Sequence, residues 1–213
     1  REAARRRLGL DQPLGRRYVG YLRGLAQGSL GASFRQPDVS VASEIARVLP
    51  STAVLALASL LVAWGLGVPL GVIAAARRGR PLDAAATTFA VGLQAVPNFW
   101  LGPILILVSC VWLRWLPLPG DDSSSLRALL LPAMTLGGAL TALLVRMTRA
   151  SLLDVLREPF VTVARAKGLS ESTVLFKHAL RNALLPVVTI AGSQLGALLG
   201  GALIIEKIFE RPG

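Results

Sequence analysis

The sequence predicts an all-α fold, a polytopic membrane helix bundle. Three observations carry this reading. Hydrophobic residues make up 53% of the 213-residue chain and charged residues only 16%. The mean hydropathy is +0.58. Four long stretches contain no charged residue at all. Soluble domains carry about 25% charge, and disordered chains are poor in apolar residues. One Cys and one His exclude a disulfide framework within the chain and a closed Cys/His zinc site. The net charge of +11 does not point to nucleic acid. A nucleic-acid binder spreads Lys and Arg over a soluble face. Here they punctuate the uncharged stretches, as in the loops of a membrane protein.

Residues 1–47 form a basic N-terminal segment, expected outside the membrane. The uncharged stretches follow at 48–76, 84–113, 128–145 and 182–205, with 29, 30, 18 and 24 residues. A helix needs about 20 apolar residues to cross about 30 Å of hydrocarbon. The sequence therefore predicts spans near 50–76, 86–113, 128–146 and 183–205. The first two stretches exceed the need, so their ends lie in the interface or their helices tilt. Four such stretches leave no polar face for a soluble helix to show to water. No charged leader with a following apolar stretch occurs in the first 30 residues. The chain closes on Arg211-Pro212-Gly213 directly after an apolar run, and we expect a chain cut at both ends.

Lys and Arg near the membrane ends orient the bundle. One side holds Arg77, Arg78, Arg80 and the seven basic residues of 146–181, ten in all. The other holds six: Arg35, Arg47, Arg114, Arg127, Lys207 and Arg211. The first side is the predicted cytoplasmic one. Seven more arginines (Arg1, Arg5, Arg6, Arg7, Arg16, Arg17 and Arg23) would reverse the raw count. They lie far from the first span, where the rule weakens.

Within the spans, Gly192, Gly196 and Gly200 recur at intervals of four and share one helix face. Such a face admits another helix closely, within the chain or at a subunit interface; a Gly-rich lipid-facing helix is the other reading. No Asp, Glu, Lys, Arg or His lies inside any stretch, against an ion-coupled transporter or an intramembrane hydrolase. Cys110 is the one thiol and has no acid or His beside it in a span, so no membrane enzyme is expected. Gln94, Asn98 and Gln194 are candidates for a translocation path, or for hydrogen bonds between helices.

The loop 148–182 is the richest segment. In Glu158-Pro159-Phe160-Val161-Thr162-Val163-Ala164-Arg165-Ala166-Lys167-Gly168-Leu169-Ser170-Glu171, Pro159 suits a first helical turn. Gly168 suits a left-handed helix end. Ser170 and Glu171 suit the start of a second helix. That helix runs to about Asn182 with Leu169, Thr173, Phe176 and Leu180 on one stripe, and feeds the fourth span. Two short amphipathic helices with a Gly corner result. Such an elbow rests on lipid headgroups or enters a groove on a partner protein.

Ala164-Arg165-Ala166-Lys167-Gly168-Leu169-Ser170, followed by His178-Ala179-Leu180-Arg181-Asn182-Ala183-Leu184-Leu185-Pro186, resembles the cytoplasmic loop of dipeptide/oligopeptide-type ABC importer permeases. The general importer signature E-A-A-x3-G-x9-I-x-L-P, set on Gly168, keeps Ala164, Gly168 and Leu180. It departs at Thr162, Val163, His178 and Arg181, as is typical of the peptide branch. The resemblance extends to Leu8-Gly9-Leu10-Asp11-Gln12-Pro13-Leu14, Gly28-Ser29-Leu30-Gly31, Pro97-Asn98-Phe99-Trp100-Leu101-Gly102 and Glu206-Lys207-Ile208-Phe209-Glu210-Arg211-Pro212-Gly213.

The resemblance implies a binding-protein-dependent transport permease of the cell inner membrane with about six spans, the first and last lying outside this chain. It implies an extracytoplasmic 1–47, and a permease domain 48–213 moving di- or oligopeptides by alternating access. The 159–182 elbow would be the coupling helix region, docking on a cytoplasmic ATPase through Ala164, Arg165, Ala166, Lys167, Gly168, Leu169, His178, Leu180 and Arg181. Arg165, Lys167 and Arg181 would meet ATPase carboxylates, or else simply be solvated; His178 is read as structural rather than as a proton sensor. Implied partners are a second homologous permease, two ATPase subunits, an extracytoplasmic solute-binding protein and membrane lipid. No G-x-x-x-x-G-K-[ST] loop occurs here, so ATP and Mg are expected on the partner subunits and no cofactor in this chain. Nickel and glutathione importers resemble the sequence almost equally. A membrane anchor that moves no solute fits the ordered motifs poorly.

Overall fold

A computed structural model of the chain describes residues 12–33, 38–120 and 125–211. The motif residues Leu8 to Asp11, Pro212 and Gly213, and the arginines at 1, 5, 6, 7 and 35, lie outside the described residues. Two compact units are present, Arg1–Pro50 and Ser51–Gly213. Among the described residues the fold is helical, with one isolated antiparallel bridge between Ala32 and Ser40.

In the first unit, α1 (Leu14–Ala26) buries none of its side chains. Its end is closed by Gly28, whose φ of +77° allows the Ser29 N–H to reach the Gly24 carbonyl at 2.8 Å. Ser40 then caps α2, its Oγ accepting from the Ser43 N–H at 3.1 Å.

α2 (Val41–Ala76) supplies the first span and starts well before the predicted position. The second predicted span is not one helix. α3 (Pro81–Ala95) and α4 (Asn98–Ile106, with a wide π turn at Leu107–Trp112) meet at an angle of 103°. Pro97 causes the break. It offers no N–H, and it forces Val96 out of helical geometry to φ −85°, ψ 119°.

α5 (Leu126–Val155) is the third span. It continues through Arg146 and Arg149, beyond the uncharged stretch. Ser125 caps it, accepting from the Ala128 N–H. α6 (Pro159–Ala166) is the first arm of the elbow. α7 (Glu171–Ile208) is the second arm and the fourth span in one continuous helix. Among the described residues, three helices are long and apolar enough to cross a membrane, and a bent pair would make a fourth.

α5 is the axis of the second unit: 67% of its apolar stretch is buried, against 28% for α2 and 22% for α7. The core around it joins Leu55, Ala56 and Ala63 of α2, Leu136, Leu140 and Leu144 of α5, and Val187, Ala191, Leu198 and Ile205 of α7.

The expected stripe on the elbow's second helix is overturned. Phe176 is 60% exposed and Leu169 39%. The buried residues are Val174, Ala179, Ala183, Val187 and Ala191, spaced by five and then by four. The step of five falls where Val174–Ala179 winds as a π helix. One wide turn re-phases the helix and turns Phe176 outward.

The Gly192, Gly196 and Gly200 face makes no tight packing within the chain. A Cβ at any of the three would meet nothing within 4 Å. The close approach lies between α2 and α5. A Cβ on Gly67 would stand 2.7 Å from Leu144 Cβ, and one on Gly71 2.6 Å from Thr148 Cβ. A Cβ on Gly137 would stand 2.7 Å from the Ser59 carbonyl oxygen. These helices touch backbone to backbone, the geometry that small residues permit in a membrane.

Candidate functional site

The elbow is built as its local chemistry requires. Pro159 opens α6. Gly168 takes φ +77°. Its N–H donates to the Arg165 carbonyl at 2.9 Å, and the Leu169 N–H donates to the Ala164 carbonyl at 3.4 Å. This pair of bonds is the Schellman closure of a helix, which needs a left-handed residue at its end. Ser170 begins the next helix, its Oγ accepting from the Thr173 N–H at 3.3 Å.

The inner side of the elbow is apolar. Val161, Ala164 and Val174 are buried together, with Leu156 against them. The next cluster ties the elbow to the bundle: Val72 and Ala75 of α2, Leu152 of α5, and Ala179 and Ala183 of α7. Ser151 Oγ donates to the Ala183 carbonyl at 2.8 Å. Leu180 is half-buried beside this cluster.

The outer side is open. Ala166, Lys167, Gly168, Leu169 and Arg181 are exposed and His178 half-buried. A groove of about 360 Å³ is lined by Phe160, Val163, Ala164, Lys167, Leu169 and His178. A second, of about 470 Å³, is lined by Phe160, Lys177, His178, Arg181, Asn182 and Leu185. Phe160 and His178 line both. The structure therefore gathers Ala164, Lys167, Leu169, His178 and Arg181 around one shared rim. Arg165 meets Glu171 of the same elbow across the Gly corner, at 2.8 and 3.2 Å.

Gln94, Asn98 and Gln194 are spread over three elements. Gln94 is exposed near the end of α3, Asn98 opens α4 beyond the bend, and Gln194 is half-buried in α7. Cys110 is buried, and its Sγ donates to the Pro117 carbonyl at 3.1 Å, a structural contact.

Two polar contacts were not visible in the sequence. Asp83, 6% exposed, accepts from Arg149 Nε at 2.6 Å and Arg149 Nη2 at 2.8 Å. It also accepts from the Gly79 N–H at 2.9 Å. The pair puts the corner at 77–83 and the end of α5 at one end of the bundle, as alternate loops require.

At the other end, Glu206 is 3% exposed and accepts from Thr52 Oγ1 at 2.6 Å. It lies one residue beyond the uncharged stretch. Losing a hydrogen bond to a charged acceptor costs about 1.5–3 kcal/mol. Glu206→Ala should therefore lower the thermal midpoint of the purified protein by several degrees. Glu206→Gln, which keeps an acceptor, should lower it less than half as far. Exposed Lys207→Ala should leave it in place, and equal midpoints for all three would dismiss the contact.

Comparison with known proteins adds the following. Residues 67–213 match the family described as binding-protein-dependent transport system inner membrane component. Over its full length the chain is 46% identical to a glutathione transport system permease protein of Escherichia coli, covering 68% of that protein. Over 97% of its length it is 42% identical to a di/tripeptide transport system permease protein of Pseudomonas aeruginosa, covering 69% of it. A glutathione transport system permease protein of Shigella flexneri is 45% identical over the whole chain, which covers 68% of it.

Proposed function

The chain belongs to the binding-protein-dependent transport system inner membrane components, the permeases of ABC importers, and we propose that it moves short peptides across the inner membrane under the drive of a separate ATPase docked on its elbow. One observation carries the coupling part of this reading. The elbow offers an open, basic and apolar rim outward, while its inner face is locked to the ends of α2, α5 and α7. A load applied at the rim reaches three helices at once.

ATP and Mg belong to the ATPase subunits in this reading, which hydrolyse the nucleotide while this chain catalyses no reaction. Binding of ATP closes those subunits, and the elbow moves with them. A bundle with two packings then exposes its path to one side or the other, a bistable element biased by a ligand bound elsewhere. Lys167 and Arg181 are cations of the rim placed to meet ATPase carboxylates. The open Gly192, Gly196 and Gly200 face suits a helix of a second permease subunit. An extracytoplasmic binding protein delivers the solute. The cargo rests on the named relatives, glutathione and di/tripeptide permeases. Both cargoes are short peptides, so one path chemistry serves them.

The test is uptake by proteoliposomes holding the permease pair, the ATPase subunits and the binding protein. ATP should drive accumulation of a labelled dipeptide or glutathione. Lys167→Glu with Arg181→Glu should cut it at least tenfold and release the ATPase on gel filtration. Full uptake without ATP, or an undisturbed complex with the double variant, contradicts the reading.

A further inference from the structure

One turn of α5 meets a different helix at almost every residue. Thr148 lies against Gly71 of α2. Arg149 forks onto Asp83 of α3. Ser151 donates to the Ala183 carbonyl of α7. Leu152 fills the cluster with Val72, Ala75, Ala179 and Ala183. Directly after this turn the chain enters the elbow.

The grip on α3 rests on charge. α2 and α7 are held to α5 by apolar side chains, by close backbone between α2 and α5, and by the Ser151–Ala183 hydrogen bond. The buried residues of α3 are Asp83, Ala86 and Ala90, while Leu82, Phe89 and Val91 are more than half exposed. Ala90 packs with Ala142 and Val145 of α5, and Leu93 lies over Gly138, but apolar contacts of this kind are non-directional. A two-pronged guanidinium–carboxylate contact fixes both distance and plane, and the Gly79 N–H holds the same carboxylate from the corner before α3. α3 leads into the 103° bend and α4.

We infer that the Asp83–Arg149 pair is the positioning link that makes α3, and with it the bent α3–α4 pair, follow the elbow. The inference rests on the coupling function proposed above. Loss of the pair lets the elbow and α5 respond to ATP while α3 lags, so hydrolysis continues and transport per ATP falls.

The test measures solute moved per ATP hydrolysed in the full reconstituted complex, at equal amounts of folded, monodisperse protein. Asp83→Asn keeps the shape and an acceptor for Gly79, and removes the charge. We expect it to lower the ratio at least fivefold with hydrolysis retained within about twofold. Arg149→Gln should do the same, and the double variant should be no worse than either single, because all three lose one interaction. Arg149→Lys, which keeps the charge without the fork, should fall between. Uptake and hydrolysis falling together, at a constant ratio, would make the pair a purely structural brace and overturn the link, as would a normal ratio in Asp83→Asn. If the unaltered complex hydrolyses ATP without any uptake, the proposed function fails first and the link falls with it.

Discussion

Gly71→Ala is expected to cost about 3 kcal/mol of stability, the upper end of the range for overpacking a filled site. The added methyl would stand 2.6 Å from Thr148 Cβ and 2.7 Å from the Val145 carbonyl oxygen. Neither neighbour is the free end of a flexible side chain. Relief requires α2 and α5 to move apart, which also disturbs Gly67 against Leu144 one turn away. Gly65→Ala on the same helix is the control. Its Cβ meets nothing within 4 Å, and alanine favours an exposed helical position by roughly 0.5–1 kcal/mol over glycine. Thermal unfolding in detergent should show a large fall for the first variant, and no change or a small rise for the second. Matching shifts would mean that the α2–α5 seam is not the tight one.

The same pair of helices shows what local sequence can and cannot say. Gly67 and Gly71 are spaced by four, as are Gly192, Gly196 and Gly200. The local pattern is identical, and the sequence reading chose the longer run. Which run finds a helix of its own chain depends on tertiary arrangement, which no spacing encodes. Prolines behave alike. Pro97 breaks its helix, while Pro103, Pro132 and Pro186 sit inside theirs. A proline removes one hydrogen bond everywhere, but neighbouring helices decide whether the chain bends there.

The spans at α2, α5 and α7 were legible because apolar length is a property of the segment alone, whereas the bend at Pro97 inside the second was not. The elbow's start, corner and second start were legible for the same reason, since Pro159, Gly168 and Ser170 act within a few residues of themselves. The π turn at Val174–Ala179 left no comparable mark. Its cause is the need to bring Val174 and Ala179 to one buried side. Asp83 stands 66 positions from Arg149, so its role emerges only when α3 and α5 lie together. What is encoded locally in this chain is the machinery at the surface, and what is encoded globally is how that machinery grips the bundle.

Gly168→Val should abolish ATP-driven uptake, with a fall of more than tenfold, while the bundle stays folded. The argument turns on backbone angle. At φ +77° a β-branched residue is strongly disfavoured, and no neighbour lies within 4 Å of an added Cβ. Any damage must therefore come from φ, not from a clash. The valine would pull residue 168 toward negative φ, and the Leu169 bond to the Ala164 carbonyl would go. α6 would then swing away from the start of α7, and the rim shared by Phe160 and His178 would open. Gly168→Asn separates this cause from a general dislike of side chains at the corner, because asparagine accepts left-handed geometry. It should keep uptake within about threefold of the unaltered chain. Both variants leave the core around α5 untouched, so their thermal midpoints should agree within a few degrees. Ordered loss, valine far below asparagine with both folded, is the signature of a corner whose geometry transmits force. Equal uptake in the two would mean that the ATPase reads some other surface.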